Sequence, residues 1–505
     1  MLYRGNHRDQ TDARVRLIAG GVALASVLAA GAVFGTVWVA DREPSDNVFQ
    51  LADESDETND ESGEESGEES GEDTEESGDT DSESGDDGEQ PVAEVAPDAP
   101  EGTDLRRGAV FAQSNFADGN FVVAYARRAD GDLAEVGRFP TGGKGSGAFE
   151  DSSNGLVVAS SKGEVSPNNY GNEGDLLFTT NAGSNSITVF RIEQTTLTRL
   201  EVQRTGGERP VSVAISNGLV YVLHNGETAK SPLNEEGTPI ENCTTGNRPS
   251  VTGFRLDGDN LEPISNSTRE LSGEAESGCA QVTFSPNGKA LVVTERLAKP
   301  SELAHAEGDN GVFVVFPVQE NGTLGEKKVL NTSGTGPFGF TFTKKNVLIV
   351  AEQVALEAHT GQGSSYQLDD KGALNPTGPA VGNFGTDPCW VVVTDDQKYA
   401  FVSSALGDGQ LSTYAIAENG SIRLHDPVAT SPNEDSANDN VEFGATDIAL
   451  SRDSKYLYQL NSTTGYINVH RVEKDGSLTQ TQRLQTFALS NQQSMFFTPF
   501  GLASI

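Results

Sequence analysis

Cysteine is scarce in this 505-residue chain, with three residues, Cys243, Cys279 and Cys389. None forms a CxxC pair, which excludes a zinc ribbon or a thioredoxin-like redox centre. If the chain is exported, Cys243 and Cys279 are the pair expected to form a disulfide; the alternative is three semi-buried thiols, since sequence spacing does not supply the geometry that a bridge requires. The six histidines are scattered and form no HxH or HExxH, so no metal site and no cofactor is expected. No GxSxG elbow, P-loop, or GxGxxG after a strand occurs, which removes the usual serine-hydrolase and nucleotide-binding readings. No Lys/Arg cluster with interleaved aromatics appears either, and the net charge is −40. Phosphate binding needs a basic face, so nucleic acid is excluded as a partner.

That charge is unevenly spread. Residues 41–104 hold 27 Asp and Glu against one Arg, and residues 105–505 carry only −16. The acidic tract repeats Glu-Glu-Ser-Gly, as in Glu64-Glu65-Ser66-Gly67, and has almost no large apolar residue between Leu51 and Val92. Such a segment cannot bury enough apolar surface to offset its ordering entropy, and a disordered, self-repelling linker is expected. No EF-hand-type spacing is present in it.

Before the acidic tract, the 24 residues Leu17 to Ala40 carry no charge. About 20 apolar helical residues span a bilayer core. Arg4, Arg8, Arg14 and Arg16 precede the run and Asp41, Glu43 and Asp46 follow it, which places the N-terminus inside and the rest of the chain outside the membrane. The expectation is a membrane anchor over 17–40. The alternative is a signal cleaved near Ala30-Gly31-Ala32; either outcome exports the body, as a single-pass membrane protein or a secreted one.

The body, 105–505, is repetitive. A β-rich run ending in an aromatic recurs at Tyr125, Phe190, Phe254, Phe316, Tyr366 and Tyr414, and a seventh copy, Ile467-Asn468-Val469-His470, has His in the aromatic place. A second strand precedes each copy, at Val110, Leu176, Val220, Leu291, Leu348, Ala400 and Leu457. A third, inner strand is legible at Pro210, Ala280, Phe338, Pro388 and Thr446, followed by turns such as Ser285-Pro286-Asn287-Gly288-Lys289 and Ser451-Arg452-Asp453-Ser454-Lys455. Short strands, regular turns and no helical period give an all-β repeat, and seven such units predict a seven-bladed β-propeller. The first copy has no inner strand upstream. The C-terminal run Phe500-Gly501-Leu502-Ala503-Ser504-Ile505 is expected to supply it and close the ring.

The segments Asn181-Ala182-Gly183-Ser184-Asn185, Phe284-Ser285-Pro286-Asn287-Gly288-Lys289, Gly336-Pro337-Phe338-Gly339-Phe340 and Ala449-Leu450-Ser451-Arg452-Asp453 make the body resemble the lactonase family of seven-bladed propellers. That family includes bacterial 6-phosphogluconolactonases and fungal carboxymuconate cyclases. The resemblance implies a site of His, Arg and Glu at one mouth of the central channel. Here the His and Arg places hold Ala280 and Phe338, and the Glu place holds Glu352. One carboxylate cannot act both as acid and as anion clamp. The first expectation is therefore an exported propeller that binds a small molecule or a surface protein, as a monomer. Loops 226–248, 297–310 and 353–363 would then form the recognition surface. The second is a lactone hydrolase or cycloisomerase with a rebuilt site. Glu352 and Glu295, which end equivalent strands of neighbouring blades, are its candidate catalytic residues. His224, Asn225, Gln281, Phe338 and Trp390 are candidate ligand contacts near the same mouth.

Overall fold

The computed structural model describes residues 94–95, 102–147, 150, 152–161, 174–225, 248–274, 277–301, 303, 311–353, 358–406, 409–430, 445–462, 464–487 and 501–505. Their strands form seven antiparallel sheets, each built around four strands, consecutive in six of the seven. The expected blade count is thus met. Blade 1 contains Ala109–Gln113, Phe121–Arg127 and Leu133–Pro140, and its innermost strand is the C-terminal Leu502–Ser504. Blade 2 begins with Leu156–Ala159, blade 3 with Pro210–Ser216, blade 4 with Cys279–Phe284, blade 5 with Pro337–Phe342, blade 6 with Thr386–Val393 and blade 7 with Ala445–Leu450.

The turns explain how a short sequence sets each hairpin. After three of these inner strands a Ser or Thr hydroxyl donates to the Asp or Asn two residues on: Ser285 to Asn287, Thr394 to Asp396 and Ser451 to Asp453, at 2.8, 2.8 and 2.9 Å. The same hydroxyl accepts the N–H that opens the next strand, from Ala290, Tyr399 or Tyr456. These side chains offer the backbone a local turn in place of continued pairing.

Seven apolar clusters hold the ring together; six lie between two neighbouring sheets, and the seventh joins blades 6 and 7 and extends to Ala280 of blade 4 and Phe338 of blade 5. Phe190 and Val122 belong to the cluster between blades 1 and 2, Phe254 and Val189 to that between blades 2 and 3, and the series continues to Tyr125 and Tyr458 between blades 7 and 1. A blade has two apolar faces, so only a neighbour on each side removes both from water. The C-terminal strand completes this for blade 1. Leu502 and Ala503 are fully buried, Leu502–Ser504 pairs with Val110–Ala112, and Ser504 Oγ donates to the Leu450 carbonyl of blade 7.

The remaining sequence expectations fall elsewhere. Glu94–Val95, inside the expected linker, pairs with Gly137 and Arg138 as an added outer strand of blade 1, a departure from a linker unstructured up to residue 104. Residues 17–40 and the acidic repeats lie outside the described residues. Among the described residues no helix is long and apolar enough to cross a membrane.

Removing Gly501–Ile505 should cost at least ~3 kcal/mol, because two large buried side chains and one sheet partner go together. Urea unfolding of the chain ending at Phe500, followed by circular dichroism, tests this. An unchanged midpoint would refute ring closure by this strand.

Candidate functional site

The inner strands all begin on one face of the ring, here termed the upper face, where the chain crosses from the outer strand of one blade to the inner strand of the next. In blades 3 to 7 the register between the inner and second strands shifts near that face. Such bulges re-aim a side chain at the rim of a sheet. The His and Arg places of the resemblance fall on two of them. Ala280 is the extra residue between Cys279 and Gln281, and Phe338 lies in the shift between Pro337 and Phe340.

Both are fully buried, and both belong to an apolar cluster with Cys389 and Trp390. The Phe338 and Trp390 rings meet edge to face, with centroids 5.4 Å apart. The Ala280 carbonyl accepts the N–H of Ser153 at 3.0 Å. Ser153 precedes the inner strand of blade 2, so this bond reaches past blade 3 to blade 4. Its neighbours are anchored along the way: Ser152 Oγ donates to the Val211 carbonyl at 3.1 Å, Asn154 accepts from the Val213 N–H, and Asn154 Nδ2 donates to Thr283 Oγ1 at 3.1 Å. Ser152 and Ser153 are buried. A segment of the chain itself thus bridges the channel end of blades 2 to 4 at the place of the expected His.

In blades 3, 4 and 7 the residue after the bulge is also engaged. Gln281 faces the backbone of Phe340 in blade 5, accepting its N–H at 2.9 Å and donating to its carbonyl at 2.7 Å. Ser212 Oγ accepts the Val282 N–H of blade 4. Asp447 accepts the Leu502 N–H of blade 1 at 2.7 Å. These side chains staple one inner strand to the next.

A second ring of polar residues ends the second strands. Glu352 is fully buried; it accepts from the Gly334 N–H at 3.2 Å and from Ser364 Oγ at 2.7 Å. Glu295, equally buried, accepts from the N–H and the hydroxyl of Ser272, at 2.8 and 3.0 Å. In both cases the partner loop comes from the preceding blade. The loop must approach closely: a Cβ on Gly334 would stand 1.7 Å from Glu352 Oε2, and one on Gly207 would stand 2.5 Å from the His224 ring. Asn181 holds the same place in blade 2 and accepts from Thr141 Oγ1 at 2.7 Å. Glu295 and Glu352 are therefore each enclosed by a separate crossover loop, and neither opens onto a shared cleft.

His224 is fully buried under Gly207, and burial pushes its imidazole down to about 4, against a small opposing effect of the Ser250 backbone. Asn225 beside it is buried and donates its N–H to the Arg209 carbonyl. Among the described residues no three His, Cys, Asp or Glu side chains gather as a metal site. Cys279 is disulfide-bonded, while Cys389 carries a buried thiol that accepts from Gln353 Nε2 at 3.3 Å. Cys243 lies outside the described residues, as do 226–247, 304–310 and 354–357 of the expected recognition loops.

The upper face also holds charged groups that the repeat pattern did not point to. Arg209 and Glu150, 2% and 5% exposed, form an ion pair at 3.0 Å beside the start of blade 3. The one signal for Arg209 in the sequence is its place directly before Pro210, which opens the inner strand. Burial pushes Glu295 up to about 7 and Asp447 up to about 8.

Residues 366–492 match the family model described as lactonase, seven-bladed β-propeller. No curated protein matches the chain. Among solved structures, a candidate 6-phosphogluconolactonase from Bacteroides uniformis is similar at 13% identity with a TM-score of 0.53, over 79% of this chain and 99% of that one. A protein from Lactobacillus plantarum is similar at 15% identity and a TM-score of 0.54, over 79% and 99%. At such identity the likeness shows the fold. The fold, a β-propeller, is thereby shown, and residues 366–492 are similar to the lactonase family of seven-bladed propellers.

The buried acids set a pH dependence. Their folded values are raised, so the unfolded chain releases their protons first, and the stability they contribute is present below about 4 and lost as pH rises through 7 and 8. The buried His224 and His470, both lowered to about 4, act oppositely: their contribution is full above 6.5 and lost below it. The two effects offset each other between 4 and 6.5. Above that the acids act alone, and stability should fall by about 2 kcal/mol from pH 6.5 to 8.5. Urea titrations across this range should show the slope, and the double variant Glu295→Gln, Asp447→Asn should flatten it. A slope unchanged in the double variant would rule these groups out as its source.

Proposed function

We propose that this protein is an exported, membrane-tethered propeller of lactonase type that serves as a binding module and does not hydrolyse lactones at its channel. What carries the proposal is the Ser153–Ala280 bond, with Phe338 packed on Trp390 beside it. Where the resemblance expects a base and an anion clamp, the chain places a methyl group, a phenyl ring and its own backbone. Glu352 is kept, but its oxygens are taken by Gly334 and Ser364. A buried, loop-capped carboxylate has no path to a substrate carbonyl.

Binding is assigned to the upper face. Three of the four large apolar side chains exposed among the described residues stand there: Phe384 and Val428 on crossover loops, and Leu297 just past the second strand of blade 4. Phe384 is 60% exposed with φ at 60°, a conformation that costs a bulky side chain free energy and is kept where surface presentation matters. Loops on a rigid scaffold are the usual carriers of recognition. The tether rests on the uncharged run 17–40 and its flanking charges.

A second reading is a lactone hydrolase or cycloisomerase with a rebuilt site. It is favoured by Glu295, whose value near 7 suits proton transfer, and by the Bacteroides neighbour, described as a candidate 6-phosphogluconolactonase.

A hydrolysis screen separates the two. The purified protein should give no turnover above background on 6-phosphogluconolactone, unphosphorylated sugar lactones, aliphatic lactones or muconolactones. Turnover that disappears in Glu295→Gln or Glu352→Gln, with the fold retained, would overturn the binding-module proposal.

A further inference from the structure

The seven interblade cores are not alike. In six of them the third strand of a blade delivers an aromatic ring against the preceding blade: Tyr125, Phe190, Phe254, Phe316, Tyr366 and Tyr414, each in its own apolar cluster. In blade 7 that place is held by His470, on the strand Tyr466–Val472. The imidazole is 1% exposed.

What surrounds it is polar and incompletely bonded. Register pairs His470 with Leu457 and Asn468 with Gln459, so all four face blade 6. Across the seam, Phe401 and Leu411 pack against Leu457, and Ser403 and Thr413 share their face by strand alternation. Gln459 Nε2 donates to the Gly409 carbonyl of blade 6 at 2.9 Å, which turns its Oε1 toward His470 Nε2, 3.2 Å away. That oxygen can only accept, so Nε2 carries the proton and Nδ1 is the bare nitrogen. His470 Nδ1, Asn468 Oδ1 and Ser403 Oγ are buried without a hydrogen-bond partner.

We propose that the joint between blades 6 and 7 is an acid-operated seam, opened when His470 takes up a proton at Nδ1. Among the described residues no carboxylate faces the ring from either side. Blade 7 contributes Ile448, Leu450, Leu457, Gln459, Asn468 and, opposite on the outer strand, Gln480. Blade 6 contributes Phe401, Ser403, Leu411 and Thr413. Among the described residues the titratable side chains of this cluster are the buried Cys389 thiol and, at its margin, Tyr399, with the His425 ring 5.3 Å from its own. Asp447 sits on the opposite face of its strand, toward blade 1. A buried imidazolium would thus have neither a counter-charge nor water, and separation of the two sheets supplies the water. Burial alone lowers this histidine to about 4. With an open-state value of 6.5 the opening equilibrium grows roughly 70-fold between pH 7.5 and 4.5.

Hydrogen exchange of the full chain, read by mass spectrometry and corrected for intrinsic rates, tests this. Peptides over 456–461 and 466–472 should lose protection by roughly that factor at pH 4.5, while peptides of blade 4 keep theirs. His470→Phe, which restores the aromatic of the other blades, should hold blade 7 closed at both pH values. His470→Gln should give protection that does not change with pH, and it carries the test if the Phe variant does not fold. His224→Gln, at the second buried histidine, should leave the blade 7 response intact. Protection lost evenly around the ring, or a response that persists in either His470 variant, would overturn the proposal.

Discussion

Every sheet in this ring has two apolar faces, and only a neighbour on each side keeps water from both. The rest of the structure follows from that constraint. It makes each blade dependent on two others, requires the ring to close, and places seven cores between sheets in place of a single central one. It also sets where polar side chains go. Apolar packing holds the middle of each interface but gives no register. Register at the upper face is supplied by Gln281 on Phe340, Ser212 on Val282 and Asp447 on Leu502, each tying one inner strand to the next. Buried, these bonds are expensive to leave unmade, which is what makes them specific.

The same bonds explain why residues that resemble a catalytic set do not form one. Glu295 and Glu352 sit where the resemblance implies chemistry, at strand ends near a channel mouth. Each has the preceding blade's crossover loop folded over it, and each answers that loop's hydrogen-bond donors. A carboxylate in this place can serve a reaction only if the loop stands away. Gly334 shows how closely that loop is seated over Glu352: a Cβ there would stand 1.7 Å from its Oε2. Structure and catalysis compete for one ring of side chains, and here interblade bonding holds it.

Much of the fold was legible because its signals are local. Alternating strands, turn residues such as Asn287 and Asp453, and the recurring aromatic all lie within a few positions of each other. Closure by Leu502–Ser504 was legible for a different reason: one blade lacked a strand and one strand lacked a blade. The destinations of the candidate residues were not legible. A bulge is a one-residue register shift, invisible in a pattern of period two, and it decides which of Ala280 and Gln281 meets the channel. The Ser152–Asn154 bridge has no periodicity at all, since it is a connection whose partners lie 59 to 129 residues away. Glu94–Val95 escaped because pairing with Arg138 needs a neighbour that an acidic, Pro-containing stretch does not advertise.

Blade 7 brings these threads together. Its two neighbours are held by groups that bond in their neutral or least solvated forms: Asp447 reaches the closing strand of blade 1, and His470 stands in the core shared with blade 6. Burial raises the acid and lowers the base, so the two joints weaken in opposite directions of pH. The joint with blade 6 differs from the other six in lacking the third-strand aromatic ring, and a protonatable imidazole holds its place.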